Sequence, residues 1–152
     1  MTTRETVFRH ATPDEADTVA MISRKSRTYF LPYLPALHTF EDDKWFFRNR
    51  VFMQCEVWVA EDNHELVGFC AFEEGWVQHL YILPTHVGRA LGGALLNKAK
   101  DSHSFLQLWV FQRNTRAISF YERHGFQKVR ETDGSVNEEK TPDALYEWCY
   151  SA

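Results

Sequence analysis

The sequence predicts a mixed α/β fold, formed by one domain over residues 1–152. Hydrophobic residues make up 44% of the chain and charged residues 25%, as in ordinary globular proteins. A chain of 152 residues buries about two-thirds of its unfolded surface on folding. Segments with the two-residue period of strands alternate with segments of helical period, without repeats or linkers. These observations favour one sheet that carries several helices.

The first third of the chain predicts one strand and two helices. A strand over 7–9 ends at Thr12-Pro13, where Thr12 caps a helix and Pro13 takes its first position. An aromatic loop with two prolines follows over 29–35. The second helix is expected from Thr39 or Glu41 to about Val51, with three aromatic residues on one side: Trp45, Phe46 and Phe47.

A hairpin and a strand–loop–helix unit follow. The apolar runs 57–61 and 66–72 flank a polar turn over 62–64, which is typical of a β-hairpin. The next strand is predicted over 76–83. A helix from Arg89 to Lys100 follows the loop and places three residues on its apolar face: Leu91, Leu95 and Ala99.

The last third predicts a strand over 106–111, a helix and two closing strands. The helix opens at Asn114 and ends at His124, and Gly125 supplies the left-handed position after it. The closing strands are predicted over 127–130 and 145–149. The predicted order is therefore β-α-α-β-β-β-α-β-α-β-β.

Composition and charge exclude several classes of function. The net charge is -4 and no basic stripe occurs, so we expect no nucleic-acid partner. No apolar run approaches the roughly 20 residues of a membrane span, and the N-terminus lacks the apolar segment of a signal peptide. We therefore expect a cytoplasmic protein without a membrane partner.

The three cysteines are widely spaced and odd in number. Cys70 lies in an apolar run and Cys149 beside Trp148, so both are expected to be buried free thiols. Neither the cysteines nor the seven histidines show the spacing of metal ligands. The sequence predicts no metal site.

The segment 76–99 indicates a phosphate-binding loop. A helix that starts after a glycine-containing loop presents free backbone N–H groups at its positive end, where anions bind. The spacing does not match the dinucleotide fingerprint, and no Gly-Lys-Ser/Thr of a nucleoside-triphosphate loop follows. The glycines are equally compatible with a tight turn that lets the helix pack closely: Gly88, Gly92 and Gly93.

A second motif narrows the choice of ligand. Residues 114–126 read Asn-x-x-Ala-x-x-Phe-Tyr-x-x-x-Gly-Phe, directly after a predicted strand. With this motif, residues 76–129 resemble the GCN5-related N-acetyltransferases, in which the same elements occur in the same order. The resemblance implies the acyl-CoA N-acyltransferase (GNAT) fold, with acetyl-CoA as co-substrate and no metal.

The resemblance also implies a set of cofactor-binding residues. The family loop Q/R-x-x-G-x-G/A falls on 87–92, where Val87 replaces Gln or Arg and Ala90 replaces Gly. The first change removes a phosphate partner and the second adds a methyl group, so we expect weaker binding but the same cofactor. Arg89 is a candidate replacement cation. The implied residues are Leu80, Tyr81 and Ile82 by their main chain, then Val87, Gly88, Arg89, Ala90, Leu91, Gly92, Gly93, Asn114 and Tyr121.

Acetyl transfer also needs an acid, and it needs a route for the proton of the amine. Tyr121 matches the family tyrosine whose hydroxyl faces the cofactor sulfur, so it is predicted to be the general acid. For the general base the sequence leaves three candidates open, Glu73, Glu74 and His79, beside loss of the proton through water. Strand alternation places the side chain of His79 on the face of the sheet opposite to that of Leu80, unless a bulge shifts the register.

The acceptor is expected to be a primary amine of a small molecule or a protein. Tyr29 and Tyr33 of the aromatic loop, with Glu138 and Glu139 before the last strand, are candidates for its pocket, because carboxylates attract a cationic amine. An acidic loop without a ligand is the alternative. Two other functions stay open, a non-catalytic acyl-CoA-binding module and transfer of a longer acyl chain. A homodimer also stays open.

Overall fold

The structure is a computed structural model, which describes residues 6–151, and it is organised around one seven-stranded sheet. The strand order is β1-β2-β3-β4-β5-β7-β6. The elements are, in chain order, β1 (Thr6–His10), α1 (Ala16–Phe30), α2 (Phe40–Phe46), α3 (Phe52–Gln54), β2 (Glu56–Asp62), β3 (Glu65–Glu73), β4 (Trp76–Ile82), α4 (Leu91–Asp101), β5 (Phe105–Phe111), α5 (Thr115–Arg123), β6 (Gln127–Glu131) and β7 (Asp143–Cys149). Both the mixed α/β class and the predicted order are confirmed.

One strand pair interrupts an otherwise antiparallel sheet. β4 and β5 run parallel and pair at one position only, Trp76 with Gln107. Beside it, the N–H of Gln107 donates to the carbonyl of Gly75 at 2.9 Å. Beyond this position the two strands diverge toward the carboxyl end of β4. The sheet therefore opens into a wedge, here called the splay.

β4 contains a bulge that decides which side chains face each layer. Its pairing with β3 passes from Ala71–His79 to Phe72–Val77, so Gln78 has no partner residue. As a result Val77 and Leu80 share one face of the sheet although their spacing is odd. His79 points to the opposite face, as alternation from Leu80 predicts.

Helices cover both faces of the sheet. On one face α1 and the turn after α2 pack on the central strands through Val19, Ile22, Phe47 and Val51. On the other face α4 and α5 form the larger core cluster, whose buried members include Leu91, Leu95, Ala99, Tyr121 and Phe126. The predicted apolar face of α4 is confirmed.

The predicted helix ends are largely confirmed. Thr12 and Glu15 form a capping box before α1, and Thr39 with Asp42 forms a second one before α2. Asn114 caps α5, and Gly125 follows that helix with a φ of 90°. Each cap satisfies backbone groups that a helix end leaves without partners.

Three expectations were wrong. The aromatic side of the second helix is split, because a π-helical turn over Phe47–Val51 changes its register: Phe47 is buried, whereas Trp45 is 56% exposed and Phe46 44%. Cys149 is exposed, because it is the last residue of β7. The helix expected from Arg89 begins two residues later, because Ala90 adopts the left-handed conformation.

Two absences apply to residues 6–151. None of the helices in this range is both long and apolar enough to cross a membrane. The same range contains no cluster of three histidine, cysteine, aspartate or glutamate residues suited to hold a metal ion.

His79 lies in a cluster of aromatic side chains between the sheet and α2. Its ring is 5.4 Å from Phe47, 6.4 Å from Phe69 and 6.5 Å from Tyr81, measured between centroids. Burial, together with a smaller effect of the positive charge of Arg27, lowers the pKa of His79 to about 4. The imidazole is therefore neutral in the folded protein at physiological pH.

We predict that His79→Phe makes stability less sensitive to acid. Between about pH 6.5 and 4 the unfolded chain protonates this histidine and the folded chain does not, so stability falls as the pH falls. At 1.36 kcal/mol per pKa unit, His79 should account for a loss on the order of 3 kcal/mol in the free energy of unfolding across this window. Urea unfolding at both ends of this window should show a smaller loss for the variant, and equal losses would contradict the assignment.

Two residues of the loop before α4 have positive φ. Gly88 has a φ of 80° and Ala90 a φ of 61°. A left-handed alanine is strained by roughly 1–2 kcal/mol, because its Cβ crowds the next carbonyl. The Ala90 substitution for the family glycine therefore adds backbone strain as well as a methyl group.

We predict that Ala90→Gly stabilises the fold by up to about 1 kcal/mol, since the relieved strain exceeds the entropy cost of glycine. Gly88→Ala is the matched opposite change. A Cβ on Gly88 would meet no atom within 4 Å. Gly88→Ala should therefore lower the free energy of unfolding by about 1 kcal/mol through backbone strain alone. Denaturant unfolding measures both changes, and destabilisation by Ala90→Gly would contradict the strain at Ala90.

Candidate functional site

A cavity lies at the mouth of the splay, between the end of β4, the loop before α4, and α5. Its volume is about 570 Å³. All but one of the predicted cofactor-binding residues line it. They are Leu80, Tyr81, Ile82, Val87, Gly88, Ala90, Leu91, Gly92, Gly93, Asn114 and Tyr121.

Arg89 is the exception and lies outside the cavity lining. Its Nη1 is 3.7 Å from Oδ2 of Asp62, at the end of β2. The same carboxylate oxygen contacts Nε2 of His86 at 2.8 Å, and the His86 Nδ1 is 2.8 Å from the Thr85 hydroxyl. Arg89 thus helps to anchor the loop on the sheet.

The start of α4 forms the floor of the cavity. The N–H groups of Leu91, Gly92 and Gly93 belong to the first turn, where they have no partner within the helix. Two of these residues also let α4 approach α5 closely. A Cβ on Gly92 would lie 3.2 Å from the Phe120 ring, and one on Gly93 would lie 2.9 Å from the His124 ring.

The backbone of β4 supplies further donors. The N–H of Leu83 donates to the carbonyl of Val67 on β3 at 2.8 Å. Because backbone groups alternate in direction along a strand, Tyr81 also directs its N–H to β3. Leu80 and Ile82 therefore direct theirs away from β3, toward the splay. In agreement, the Ile82 carbonyl accepts a hydrogen bond from the Ser26 hydroxyl at 3.2 Å.

Asn114 lies where β5 passes into α5. Its side-chain Oδ1 accepts a hydrogen bond from the N–H of Ala117 at 3.3 Å. Because the cap uses only the oxygen, the side-chain amide group can donate hydrogen bonds into the cavity. The two expected roles of Asn114 are thus divided between its two polar atoms.

Tyr121 is buried in the last turns of α5. Its ring packs against Phe120 and Phe126, with centroids 5.2 and 5.5 Å away. Within residues 6–151 its hydroxyl has no hydrogen-bond partner, and the residue lines the cavity. Burial raises the pKa of Tyr121 well above the usual range. The phenol is therefore protonated and free to donate to a ligand.

The sequence analysis did not identify several cavity residues on α5 and α1: Phe30, Arg116, Arg123 and His124. Arg116 and Arg123 are seven positions apart and so share one face of α5. Helical periodicity places that face away from Tyr121, so it could not have indicated that the two arginines line the cavity. The Arg116 guanidinium lies 4.2 Å from the Phe30 ring centroid. Burial, with Lys100 and Arg123, lowers the pKa of His124.

Of the three candidate bases, none lines this cavity. Glu74 is exposed in the turn before β4, about 20 Å along the strand from Leu80 at ~3.3 Å per residue. Glu73 lies at the same end and accepts a hydrogen bond from Gln78 at 2.8 Å. His79 is nearer, but its ring occupies the opposite face of the sheet.

The structure brings together three of the four expected acceptor residues. Tyr33 and Glu139 both lie close enough to Tyr81 to act on the pKa of its phenol, which burial raises. Glu138 contacts the His38 ring, so the β6–β7 loop is tied to the loop before α2. Tyr29 is the exception: it belongs to α1 and is 67% exposed.

Comparison with known proteins agrees with this geometry. A family model described as "Acetyltransferase (GNAT) domain" matches residues 53–128. The peptidyl-lysine N-acetyltransferase YiaC of Escherichia coli (strain K12) is 29% identical over 124 residues, which cover 81% of this chain and 84% of that protein.

Two solved structures that contain the cofactor share the fold. PaiA N-acetyltransferase from Thermoplasma acidophilum, in complex with coenzyme A, has a TM-score of 0.73 at 21% identity and covers 96% of this chain and 99% of its own. YncA from Salmonella typhimurium, a putative acetyltransferase with acetyl-CoA, has a TM-score of 0.71 at 15% identity and covers 97% of both chains. With the family model covering half of its length, the chain belongs to the GNAT family of N-acetyltransferases.

Proposed function

We propose that the protein transfers the acetyl group of acetyl-CoA to the primary amine of a small molecule or a protein, by direct attack within a ternary complex. The observation that carries the proposal is Tyr121, a buried residue that lines the cavity and whose hydroxyl has no hydrogen-bond partner among residues 6–151. A pure binding module has no need of a proton donor there. The relative YiaC, named a peptidyl-lysine N-acetyltransferase, supports an amine as acceptor.

The proposed binding mode follows the donors around the cavity. The first-turn N–H groups of α4 hold the pyrophosphate, because anions are stabilised at the positive end of a helix. Arg123 adds positive charge beside the cavity. Arg89 does not line the cavity, and its guanidinium contacts Asp62 instead. The pantetheine arm lies in the splay and receives a hydrogen bond from the side-chain amide of Asn114.

In the proposed reaction, β4 stabilises the charge and α5 supplies the proton. The N–H of Leu80 or Ile82 binds the thioester oxygen as it becomes negative during attack of the amine. When the carbon–sulfur bond breaks, Tyr121 gives its proton to the leaving thiolate. A raised pKa keeps this phenol protonated over the whole physiological range.

We propose that the ammonium loses its proton to water rather than to one essential base. Glu74 lies too far along β4 to take part. A neutral His79 with a pKa of about 4 can accept a hydrogen bond from a water, but it is too weakly basic to hold the proton of an alkylammonium, whose pKa is near that of lysine, ~10.4.

We predict that Tyr121→Phe lowers turnover by about 100-fold or more, which is the usual loss on removal of a general acid. The dissociation constant of acetyl-CoA should change by less than about twofold, since the hydroxyl serves the transition state rather than binding. Thiol release measures the first quantity and calorimetry the second.

Tyr146→Phe is the matched control, because Tyr146 is a buried tyrosine on β7 and does not line the cavity. It should turn over like the parent. If Tyr121→Phe also does so, Tyr121 is structural and the proposed mechanism fails.

We predict that Arg123→Met weakens acetyl-CoA binding by about fivefold at low ionic strength, close to the ~1 kcal/mol of a solvent-accessible ion pair. The loss should shrink as salt screens the charge. Arg89→Met should weaken binding less, since its guanidinium lies beside Asp62.

Arg130→Met serves as the control for net charge, because Arg130 stacks on Trp109, 5.1 Å from its ring centroid, and does not line the cavity. Binding titrations at two salt concentrations distinguish the three variants. A larger loss for Arg89→Met than for Arg123→Met would reverse the assignment.

A further inference from the structure

A second cavity adjoins the cofactor site on the acceptor side. Its volume is about 270 Å³, and α1 and the loop before α2 form its walls. Leu31 lines both cavities, so one side chain separates them. A molecule in the second cavity would therefore be separated by Leu31 from the cavity that the end of β4 lines.

Two arginines line this second cavity, and they differ in their partners. Arg24 donates to Asp43 at 2.8 Å and to the His38 carbonyl at 3.2 Å. Arg27, one turn further along α1, is partly buried and forms no ion pair or side-chain hydrogen bond within residues 6–151. A partly buried cation without a partner is costly to maintain, which favours a ligand that supplies the missing anion.

Arg27 follows Ser26, whose hydroxyl donates to the Ile82 carbonyl at 3.2 Å, so this turn of α1 lies against the end of β4. Its charge acts on the pKa of His79, which burial lowers, and on that of Tyr81, which burial raises. Both side chains belong to the strand whose N–H groups face the thioester. An anion held by Arg27 would therefore lie on the acceptor side of the reacting carbon.

Glu139 supplies the opposite charge on the same side. It is partly buried, has no ion pair within the described residues, and also acts on the pKa of Tyr81. Arg27 and Glu139 do not pair with each other in the structure, although both lie near Tyr81. Two opposite charges thus act on one tyrosine and do not form an ion pair with each other.

We infer that the acceptor is a small zwitterionic amine, whose carboxylate binds Arg27 and whose ammonium approaches Glu139 before it loses its proton. This inference rests on the proposed function and names the substrate class of that site. An isolated cationic amine would leave Arg27 without an anion, and the approach of that amine would meet electrostatic repulsion.

Tyr33 is a further polar residue that acts on the pKa of Tyr81, although it lines neither cavity. Its hydroxyl is buried and has no hydrogen-bond partner in the described part of the chain. Arg113 stacks on its ring, with the guanidinium carbon 4.0 Å from the centroid, and holds the ring in place.

The test compares each of the common amino acids with its amide and with its decarboxylated amine, by thiol release from acetyl-CoA. We expect at least one amino acid to react with a kcat/KM at least tenfold above those of its amide and amine. Arg27→Met should remove most of this preference by lowering kcat/KM for the acid alone, and Arg27→Lys should restore part of it. Lys25→Met, an exposed cation on the same helix, should leave the preference unchanged.

Two outcomes would overturn the inference. The first is that amides, amines or a lysine-containing peptide react as well as the acids. The second is that Arg27→Met affects acid and amine alike. Either outcome leaves the proposed acetyl transfer intact.

A binding measurement covers the case in which no compound reacts. The amino acids are then tested for thermal stabilisation of the acetyl-CoA complex, and stabilisation of the parent but not of Arg27→Met would support the zwitterion site. Absence of stabilisation by every amino acid would refute it. Failure of the protein to bind acetyl-CoA would instead refute the proposed function.

Discussion

The site depends on one constraint, which is that β4 and β5 pair at a single position and then separate. Parallel strands that separate leave backbone N–H and C=O groups without partners at the centre of the sheet, where such groups are costly. The Ser26 hydroxyl satisfies the Ile82 carbonyl, and the remaining donors of Leu80 and Ile82 face the cavity. An extended, amide-containing arm such as pantetheine can replace the missing strand there. The proposed binding mode thus uses the defect in the sheet to hold the cofactor.

A second constraint is the close approach of α4 and α5, which closes the cavity on the side away from β4. Gly92 and Gly93 make that approach possible, because larger residues would meet the rings of Phe120 and His124. These two glycines therefore position the helix end as well as leaving its N–H groups accessible. The sequence analysis offered two interpretations of the glycines, as packing residues and as a phosphate loop. Both interpretations apply to Gly92 and Gly93. The packing partner, however, is a helix and not the sheet.

Much of the fold could be predicted from the sequence, because local chemistry marks its boundaries: Thr12 and Thr39 cap helices, and Gly125 ends one. Asn114 and Tyr121 could be placed because they share a contiguous motif. Arg123 could not, since a charged residue on an exposed helix usually indicates only solvation. The role of Arg27 was also beyond prediction, because it depends on which carboxylates lie nearby, and those carboxylates are distant in the sequence. The π-helical turn that separates Phe46 from Phe47 has no local signal of its own.

The loop contacts at the acceptor end have a consequence for folding. The part of the chain that lines most of the first cavity is built from consecutive elements, β4 to α5, which lie closer together in the sequence than the pairs at the acceptor end. In contrast, the acceptor end is closed by pairs such as His38 with Glu138 and Tyr33 with Arg113, which join distant parts of the chain. Because long loops must close before such contacts form, this end should assemble late and open first. Hydrogen exchange would then be fastest around the loops proposed to bind the amine. Their specificity could change in evolution without disturbing the unit proposed to bind the cofactor.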